Sequence, residues 1–254
     1  MAYKIMLDAG HGGEDSGASY QGRAEKDDNL RLALAVGEIL KENGIDVLYT
    51  RTTDVYQTPF EKAKIANESG ADFFISFHRN SSTRANQYEG AQVLVYKDKG
   101  IAAEMAENIL GALGEVGFRE LGVVERPGLV VLRKTKMPAV LIETGFINSD
   151  ADNMLFEDKF QEIAQAIAEA ILGTLDEQEV EGPTYYRVQV GAFRNRANAD
   201  RLLYQLNEQG YPAFLLFQDD FYKVQVGAFQ QIGNAIRMEQ KLREDGYTTL
   251  ITTR

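Results

Sequence analysis

The chain contains no cysteine and no tryptophan, and only two of its 254 residues are histidine. The absence of cysteine excludes disulfide bonds and every thiolate-ligated zinc or iron–sulfur site. No apolar run approaches the ~18 consecutive residues that a membrane-spanning helix needs, so we expect no membrane span. The net charge of −11 argues against a nucleic-acid partner, because phosphate binding needs basic patches.

The N-terminal sequence shows no signal peptide. MAYKIMLDAG begins directly with the pattern of an apolar strand, whereas a secretory leader would place a basic segment before a longer apolar one. We therefore expect synthesis in the cytoplasm without a leader. A leader removed ahead of the given sequence is the alternative.

Residues 1–175 alternate short apolar strand patterns with helical patterns, which is typical of an α/β domain with a mostly parallel, twisted sheet flanked by helices. The predicted strands are residues 3–7, 45–50, 72–77, 91–96, 130–132 and 139–142. The predicted helices are residues 28–43, 59–69, 101–113 and 153–175.

An acidic segment separates this domain from a different one. Residues 176–183 carry four acidic residues, no basic residue and a final Gly-Pro, so we predict a solvated linker there. In residues 184–254, the pattern YRVQVGAF at Tyr186 recurs as YKVQVGAF at Tyr222. Two strand–helix–strand repeats are too few for a solenoid and predict one small, four-stranded, ferredoxin-like α+β domain.

The repeat offers amide and aromatic side chains on its central strands. They either pack the sheet or form a shallow binding surface for a polar polymer, and the pattern alone leaves both interpretations open. The residues concerned are Gln189, Gln225, Tyr186, Tyr222, Phe193 and Phe229.

Both histidines follow predicted strands of the first sheet. His11 lies among glycines in LDAGHGGEDSG, His78 ends the third strand, and Glu143 ends the last one. Because ligands of such sheets bind beyond the carboxyl ends of the strands, we expect these side chains at one edge. Two imidazoles and one carboxylate, with a position left open for water, form a known catalytic zinc set.

Spacing alone leaves the third ligand open among three glutamates. Glu14 follows the glycine turn and is expected to point to solvent. Glu25 precedes the first helix, where an acidic residue is common because it favours the helix dipole, and this interpretation outweighs a metal-binding one. Glu143 ends an apolar strand, where a carboxylate is costly to bury without a partner.

Four ordered segments, DAGHGGEDSGA, EKDDNLRLA, FISFHRN and MPAVLIETGFINS, resemble the zinc-dependent N-acetylmuramoyl-L-alanine amidase family (amidase type 3) over about residues 3–174. Residues 184–254 resemble the SPOR domain, a sporulation-related peptidoglycan-binding module. The resemblance implies Zn²⁺ as cofactor, His11, Glu25 and His78 as its ligands, and Glu143 as the catalytic glutamate. The resemblance thus selects Glu25 as the third ligand, which spacing alone disfavours. At the position of Arg79 the family usually has a small residue. We expect Arg79 to lie near the substrate groove.

The resemblance implies three regions: a zinc amidase domain (1–175), an acidic linker (176–183) and a SPOR domain (184–254). The implied reaction is hydrolysis of the amide between N-acetylmuramic acid and L-alanine in peptidoglycan, the expected partner. The tail is similar to that of mother-cell lytic amidases of spore formers. Alternatives are a phage endolysin with the same chemistry, a non-catalytic peptidoglycan-binding protein, and a zinc peptidase that cuts within the stem peptide.

Overall fold

The computed structural model describes residues 3–181, 185–218 and 220–253. The chain divides into two compact units, Met1–Glu177 and Gln178–Arg254. The strands of the first unit are β1 (Lys4–Ala9), β2 (Ser19–Tyr20), β3 (Arg23–Ala24), β4 (Asp46–Tyr49), β5 (Phe73–Asn80), β6 (Ala91–Val95), β7 (Glu120–Glu125) and β8 (Ala139–Phe146). Its helices are α1 (Glu25–Glu42), α2 (Pro59–Ser69), α3 (Gly100–Val116), α4 (Val130–Lys134), α5 (Asp150–Asp158) and α6 (Phe160–Glu181), the last of which extends beyond the unit boundary.

The first unit is built on a six-stranded sheet with the order β4-β1-β5-β8-β6-β7. Neighbouring strands are parallel except for β6 and β8, which are antiparallel. The predicted mostly parallel sheet flanked by helices is confirmed. Because β1, β5 and β8 are parallel neighbours, their carboxyl ends lie at one edge of the sheet, where ligands of such folds bind.

Both faces of this sheet are buried, which explains its nearly continuous apolar strands. Successive side chains of β1 point to opposite faces, so that Ile5 and Leu7 join one hydrophobic cluster and Met6 joins the other. The first cluster is completed by helices α1, α3 and α6, with fully buried Val36, Ile109 and Ile167. The second is completed by helices α2 and α4, with Ala66 and Leu132. Burial of each such Leu or Ile contributes about 1.5–3 kcal/mol.

Two local predictions for this unit were wrong, and one strand of its main sheet was not predicted. Residues 130–132, predicted as a strand, open helix α4, because a three-residue apolar run does not distinguish a strand from a buried helical turn. The predicted helix 153–175 consists of α5 and α6, with Lys159 as the cap of α5. Strand β7 was not predicted, because Gly122 and flanking glutamates interrupt its apolar pattern.

The second unit repeats a strand–helix–strand segment. Its strands form a four-stranded antiparallel sheet with the order β10-β11-β9-β12, and the predicted α+β arrangement is confirmed. Alternate strand residues such as Val188 and Val224 pack with Leu206 and Leu242 of the helices. The elements are β9 (Tyr186–Phe193), α7 (Arg196–Glu208), β10 (Ala213–Gln218), β11 (Phe221–Phe229), α8 (Ile232–Glu244) and β12 (Leu250–Thr252).

The acidic segment differs from the predicted linker. Helix α6 continues to Glu181, because Asp, Glu and Gln are tolerated in helices and the strong helix breakers come only at Gly182-Pro183. Residues 182 and 183 of the predicted linker, and residue 184 after it, lie outside the described residues. The domain boundaries at residues 175 and 184 stay predictions. Among the helices described, none has the length and apolar character that crossing a membrane requires.

Candidate metal centre

Three side chains from separate segments meet at the carboxyl edge of β1 and β5. His11 follows β1, Glu25 is the first residue of α1, and His78 lies near the end of β5. One ligand atom from each lies within 4.8 Å of the others. Glu25 Oε1 is 3.2 Å from His11 Nε2 and 2.9 Å from His78 Nδ1. Sequence spacing alone disfavours Glu25 as the third ligand, but the structure places it in the cluster. Glu14, another candidate, is exposed and is not part of the cluster.

The glycines around His11 make room for the other side chains. A Cβ atom on Gly10 would lie 2.3 Å from Cε1 of His78, and one on Gly17 would lie 2.6 Å from Oε2 of Glu25. His11 itself has a φ of 60°, a left-handed conformation that is costly for a residue with a side chain. The glycine motif therefore lets the backbone pass directly beneath the cluster.

Hydrogen bonds fix the orientation of the three groups and favour the charged forms of His11 and Glu25. Asp15 Oδ2 accepts from Nδ1 of His11 at 2.8 Å, which leaves Nε2 of His11 directed at Glu25. Burial opposes the charged form of His11, yet hydrogen bonds to Glu25 and Asp15 raise its pKa to about 9. Burial likewise opposes ionisation of Glu25, but His11 and His78 hold the pKa of Glu25 well below its usual range. The cluster thus holds a carboxylate and a proton that a metal ion would displace.

Glu143 lies beside the cluster, and one of its carboxyl oxygens is unpaired among the described residues. On β8 it is in register with His78 on β5. Its Oε2 atom is buried, and the described residues offer it no hydrogen bond. Burial raises the pKa of Glu143 to about 7, so that this carboxyl group can both take up and release a proton near neutral pH.

A cavity of about 330 Å³ opens next to the cluster. His11 and His78 lie on its polar side, and Leu129 and Val131 give it an apolar wall. Such a mixture of apolar surface and a few convergent polar groups is typical of a ligand site. The side chains of His11 and His78 are therefore accessible to a substrate.

Arg79 does not line this cavity, although its backbone N–H donates to Oε1 of Glu25 at 3.2 Å, and its predicted position near the substrate groove stays a prediction. Its side chain is only 2% exposed, its Nη1 donates to Asp28 Oδ2 at 2.5 Å and its Nη2 donates to Asn153 Oδ1 at 2.8 Å. The guanidinium also lies 4.2 Å from the centroid of the Phe156 ring. Arg79 connects α1 with α5 inside the domain.

In the second unit, the aromatic residues singled out in the sequence pack rather than line a surface. They contact the hydrophobic cluster beneath the helices: Tyr186, Phe193, Tyr222 and Phe229. Gln225 is fully buried. The strand register instead places Phe214, Gln225, Gln189 and Leu250 in one row across the sheet, with Phe214 36% and Leu250 61% exposed. The sequence did not show these two apolar residues, because their exposure depends on strand pairing.

An α/β sheet that presents a His–Glu–His cluster and an unpaired carboxyl group at its strand ends has the arrangement of a metal-dependent hydrolase. Residues 5–173 match the family described as N-acetylmuramoyl-L-alanine amidase, and the chain belongs to this family. Residues 182–253 match the SPOR domain. The predicted enzyme class and the predicted peptidoglycan partner are thereby confirmed.

Similar proteins support the same class. The chain is 33% identical over 222 residues to the sporulation-specific N-acetylmuramoyl-L-alanine amidase of Bacillus subtilis (strain 168), covering 85% of each chain. It is 33% identical to the endolysin of Bacillus phage SPP1, covering 72% of this chain and 69% of the endolysin. The crystal structure of N-acetylmuramoyl-L-alanine amidase from Clostridium difficile 630 matches at 32% identity with a TM-score of 0.66, covering 70% of this chain and 98% of that chain.

Proposed function

We propose that this peptidoglycan amidase is zinc-dependent and cleaves the amide between the lactyl group of N-acetylmuramic acid and the L-alanine of the stem peptide. The observation that carries the proposal is the convergence of His11, Glu25 and His78 within 4.8 Å, next to the unpartnered Oε2 of Glu143. Buried polar atoms without a hydrogen bond are few in folded proteins, and a catalytic role is one explanation for such an atom.

The donor set fits zinc. Two imidazole nitrogens and one carboxylate oxygen are a ligand set of catalytic zinc sites, with the fourth position left for water or substrate. The contact between Asp15 and Nδ1 of His11 is the carboxylate–histidine support that such sites commonly have. Bound zinc would polarise the scissile carbonyl and lower the pKa of a coordinated water towards ~7.

Glu143 provides the proton transfers. Its carboxylate takes a proton from the attacking water and delivers it to the nitrogen of the leaving L-alanine, so that a free amine departs. Burial raises the pKa of Glu143 to about 7 in the metal-free protein, and the charge of bound zinc would lower it. The carboxylate would then be available for attack and would become protonated only when it takes the proton of the water. The apolar wall formed by Leu129 and Val131 reduces the access of bulk water to these steps.

The SPOR domain holds the enzyme on the wall. One face of its sheet carries the exposed side chains of Phe214 and Leu250 on the two edge strands, with half-buried Gln189 and buried Gln225 in the row between them. Apolar faces that can stack on sugar rings, next to an amide that can hydrogen-bond hydroxyl groups, suit a glycan strand.

Sporulation is the setting that we propose. Similarity to the sporulation-specific amidase extends over 85% of this chain, including its C-terminal part, whereas similarity to the phage endolysin covers 72%. Deletion of the gene in a spore former should leave spores trapped in unlysed mother cells. Normal spore release, together with expression only during phage growth, would favour the endolysin.

Exchange of Glu143 for glutamine tests the chemistry. Glu143→Gln keeps the shape of the side chain but cannot accept a proton, so we expect a fall in release of stem peptides from purified cell wall of at least about 100-fold. Zinc content should remain that of the wild type. Glu14→Gln, at an exposed glutamate near His11, is the matched control and should cleave normally. A Glu143→Gln enzyme that cleaves at the parental rate would contradict the assignment.

A further inference from the structure

We propose that Arg51 is a positioning residue that sets the separation of the two segments carrying His11 and Glu25, and thereby the affinity of the cluster for a metal ion. The inference rests on the proposed metal site. Arg51 lies after β4, in the loop that leads to α2, and is 4% exposed. Arg51 is not one of the proposed ligands and does not line the cavity.

Its guanidinium bridges the backbone on both sides of the cluster. Nε donates to the carbonyl of Ala9 at 3.0 Å and Nη2 to the carbonyl of Gly10 at 3.0 Å, the two residues directly before His11. Nη2 also donates to the carbonyl of Lys26 at 2.8 Å, the residue directly after Glu25. One planar, rigid group thus connects the neighbours of two proposed ligands.

These contacts go to the backbone and not to an acidic side chain. The remaining nitrogen, Nη1, donates to the carbonyl of Thr53 at 3.2 Å, within the loop of Arg51 itself. A buried guanidinium keeps its charge, and hydrogen bonds from a charged donor are roughly twice as strong as neutral ones. The arginine therefore fixes main-chain atoms whose positions determine where the His11 and Glu25 side chains start.

The loop of Arg51 is packed tightly against the His11 turn. A Cβ atom on Gly12 would lie 2.2 Å from the carbonyl oxygen of Val55 and 3.0 Å from Nε of Arg51. His11 holds a left-handed φ of 60°, which persists only when surrounding contacts enforce it. The hydrogen bond from Arg51 to Gly10 is one such contact, on the residue next to His11.

Lys62 is an informative contrast. Its ammonium group is also buried and also donates to the carbonyl of Ala9, at 2.6 Å, but its second partner is Asp8. Lys62 therefore holds β1 alone, whereas Arg51 reaches both β1 and α1. An ammonium group in place of the guanidinium would be too compact to contact both segments.

The test measures zinc affinity of the full chain by competition with a chromogenic chelator, together with the absorption spectrum of the Co²⁺-loaded protein. We expect Arg51→Lys and Arg51→Met to bind zinc about 10- to 100-fold more weakly than wild type, the usual effect of losing a group that supports metal ligands. The Co²⁺ spectrum should change, because the ligand geometry changes. Leu113→Ala, a core substitution in α3 away from the site, is the control for a general loss of stability.

The outcomes separate this inference from the proposed function. If the wild type binds no zinc, the proposed function fails. If the wild type binds zinc and Arg51→Lys binds it within about twofold of wild type, Arg51 does not position the ligands. The same conclusion follows if Leu113→Ala, at an equal loss of thermal stability, weakens zinc binding as much as Arg51→Lys. If Arg51→Met does not fold, Arg51→Lys still allows the test, because it retains the buried charge.

Discussion

The two units of the chain differ in what they bury. The first buries charged side chains at one edge of its sheet, each at most 5% exposed: Asp8, Glu25, Asp28, Arg51, Lys62 and Arg79. In residues 185–218 and 220–253, the buried side chains are apolar apart from Tyr211 and Gln225. Buried charges destabilise a fold unless they are paired. The first unit therefore maintains a costly polar edge that catalysis can use, whereas the second is a packed module with an almost entirely apolar interior.

Within that edge, almost every buried group has its partner. Asp8 accepts hydrogen bonds from Lys62, Thr50 and Ser76. The exceptions among the described residues include Nε of Arg79, Oγ1 of Thr144 and Oε2 of Glu143. The satisfied groups fix the geometry of the strand ends, and of the unpaired atoms it is Oε2 of Glu143 that the proposed mechanism uses.

The largest effect is expected where the backbone touches a proposed ligand. Gly10→Ala places a Cβ atom 2.3 Å from the His78 ring, so the ring must move and zinc binding should weaken by more than about 100-fold. The measurement is isothermal titration with zinc. Gly111→Ala is the control, because nothing lies within 4 Å of the added Cβ; a normal zinc affinity in Gly10→Ala would show that the ring position is unimportant.

Asp8→Asn should destabilise the first unit by about 3–5 kcal/mol, because it leaves the ammonium group of Lys62 buried without its counter-charge. Urea unfolding at pH 7, followed by far-UV circular dichroism, measures this loss. A cost below about 1 kcal/mol, as at an exposed ion pair, would mean that the polar edge is not held by buried charges.

The same variant tests the pH dependence. Burial raises the pKa of Asp8, but the charge of Lys62 and three hydrogen bonds outweigh it and hold the pKa below 3.8. The stabilisation is therefore complete above about pH 4 and is lost as the pH falls through the folded-state pKa. In Asp8→Asn, the free energy of unfolding should fall less steeply with decreasing pH than in the wild type. An unchanged slope would show that Asp8 is not the group that causes this pH dependence.

Asp15→Asn should have a smaller effect on the metal site. The substitution removes the carboxylate that holds Nδ1 of His11 at 2.8 Å, and we expect zinc affinity to fall about tenfold. Because Asp15 is partly exposed, thermal stability should hardly change. A loss of stability without a loss of zinc affinity would reverse this interpretation.

The smallest effect is expected in the second unit. Phe214→Ala combined with Leu250→Ala removes two exposed apolar side chains from the proposed glycan-binding face of the sheet. The double variant should bind purified glycan strands about two- to tenfold more weakly. Turnover of a soluble muropeptide should be unchanged. Tyr204→Ala, at a 68% exposed residue of α7, is the control. Equal loss of binding in both variants would show that Phe214 and Leu250 do not define the binding surface.

Much of the site follows from sequence periodicity. His11 and His78 could be placed together because each ends a strand of one parallel sheet, and parallel strands end at the same edge. Glu25 could not be placed by the same reasoning, because an acidic residue at a helix start is common without a ligand. Only the resemblance to the amidase family selected it.

Other features depend on tertiary contacts that no local pattern encodes. Arg51 acts on main-chain carbonyls of two distant segments, so neither its type nor its spacing indicates a role. Residues 130–132 form a helix because the neighbouring α2 covers them, which outweighs their β-branched composition. Phe214 and Leu250 become neighbours of Gln225 and Gln189 only through the strand register.

The most direct test of the central claim is a digest of purified cell wall with and without a metal chelator, with the products identified by mass spectrometry. We predict that the untreated enzyme releases whole stem peptides from intact glycan. We also predict that chelation abolishes this release and that added zinc restores it. Release of whole stem peptides at the full rate by the chelated, metal-free enzyme would contradict a zinc site at His11, Glu25 and His78.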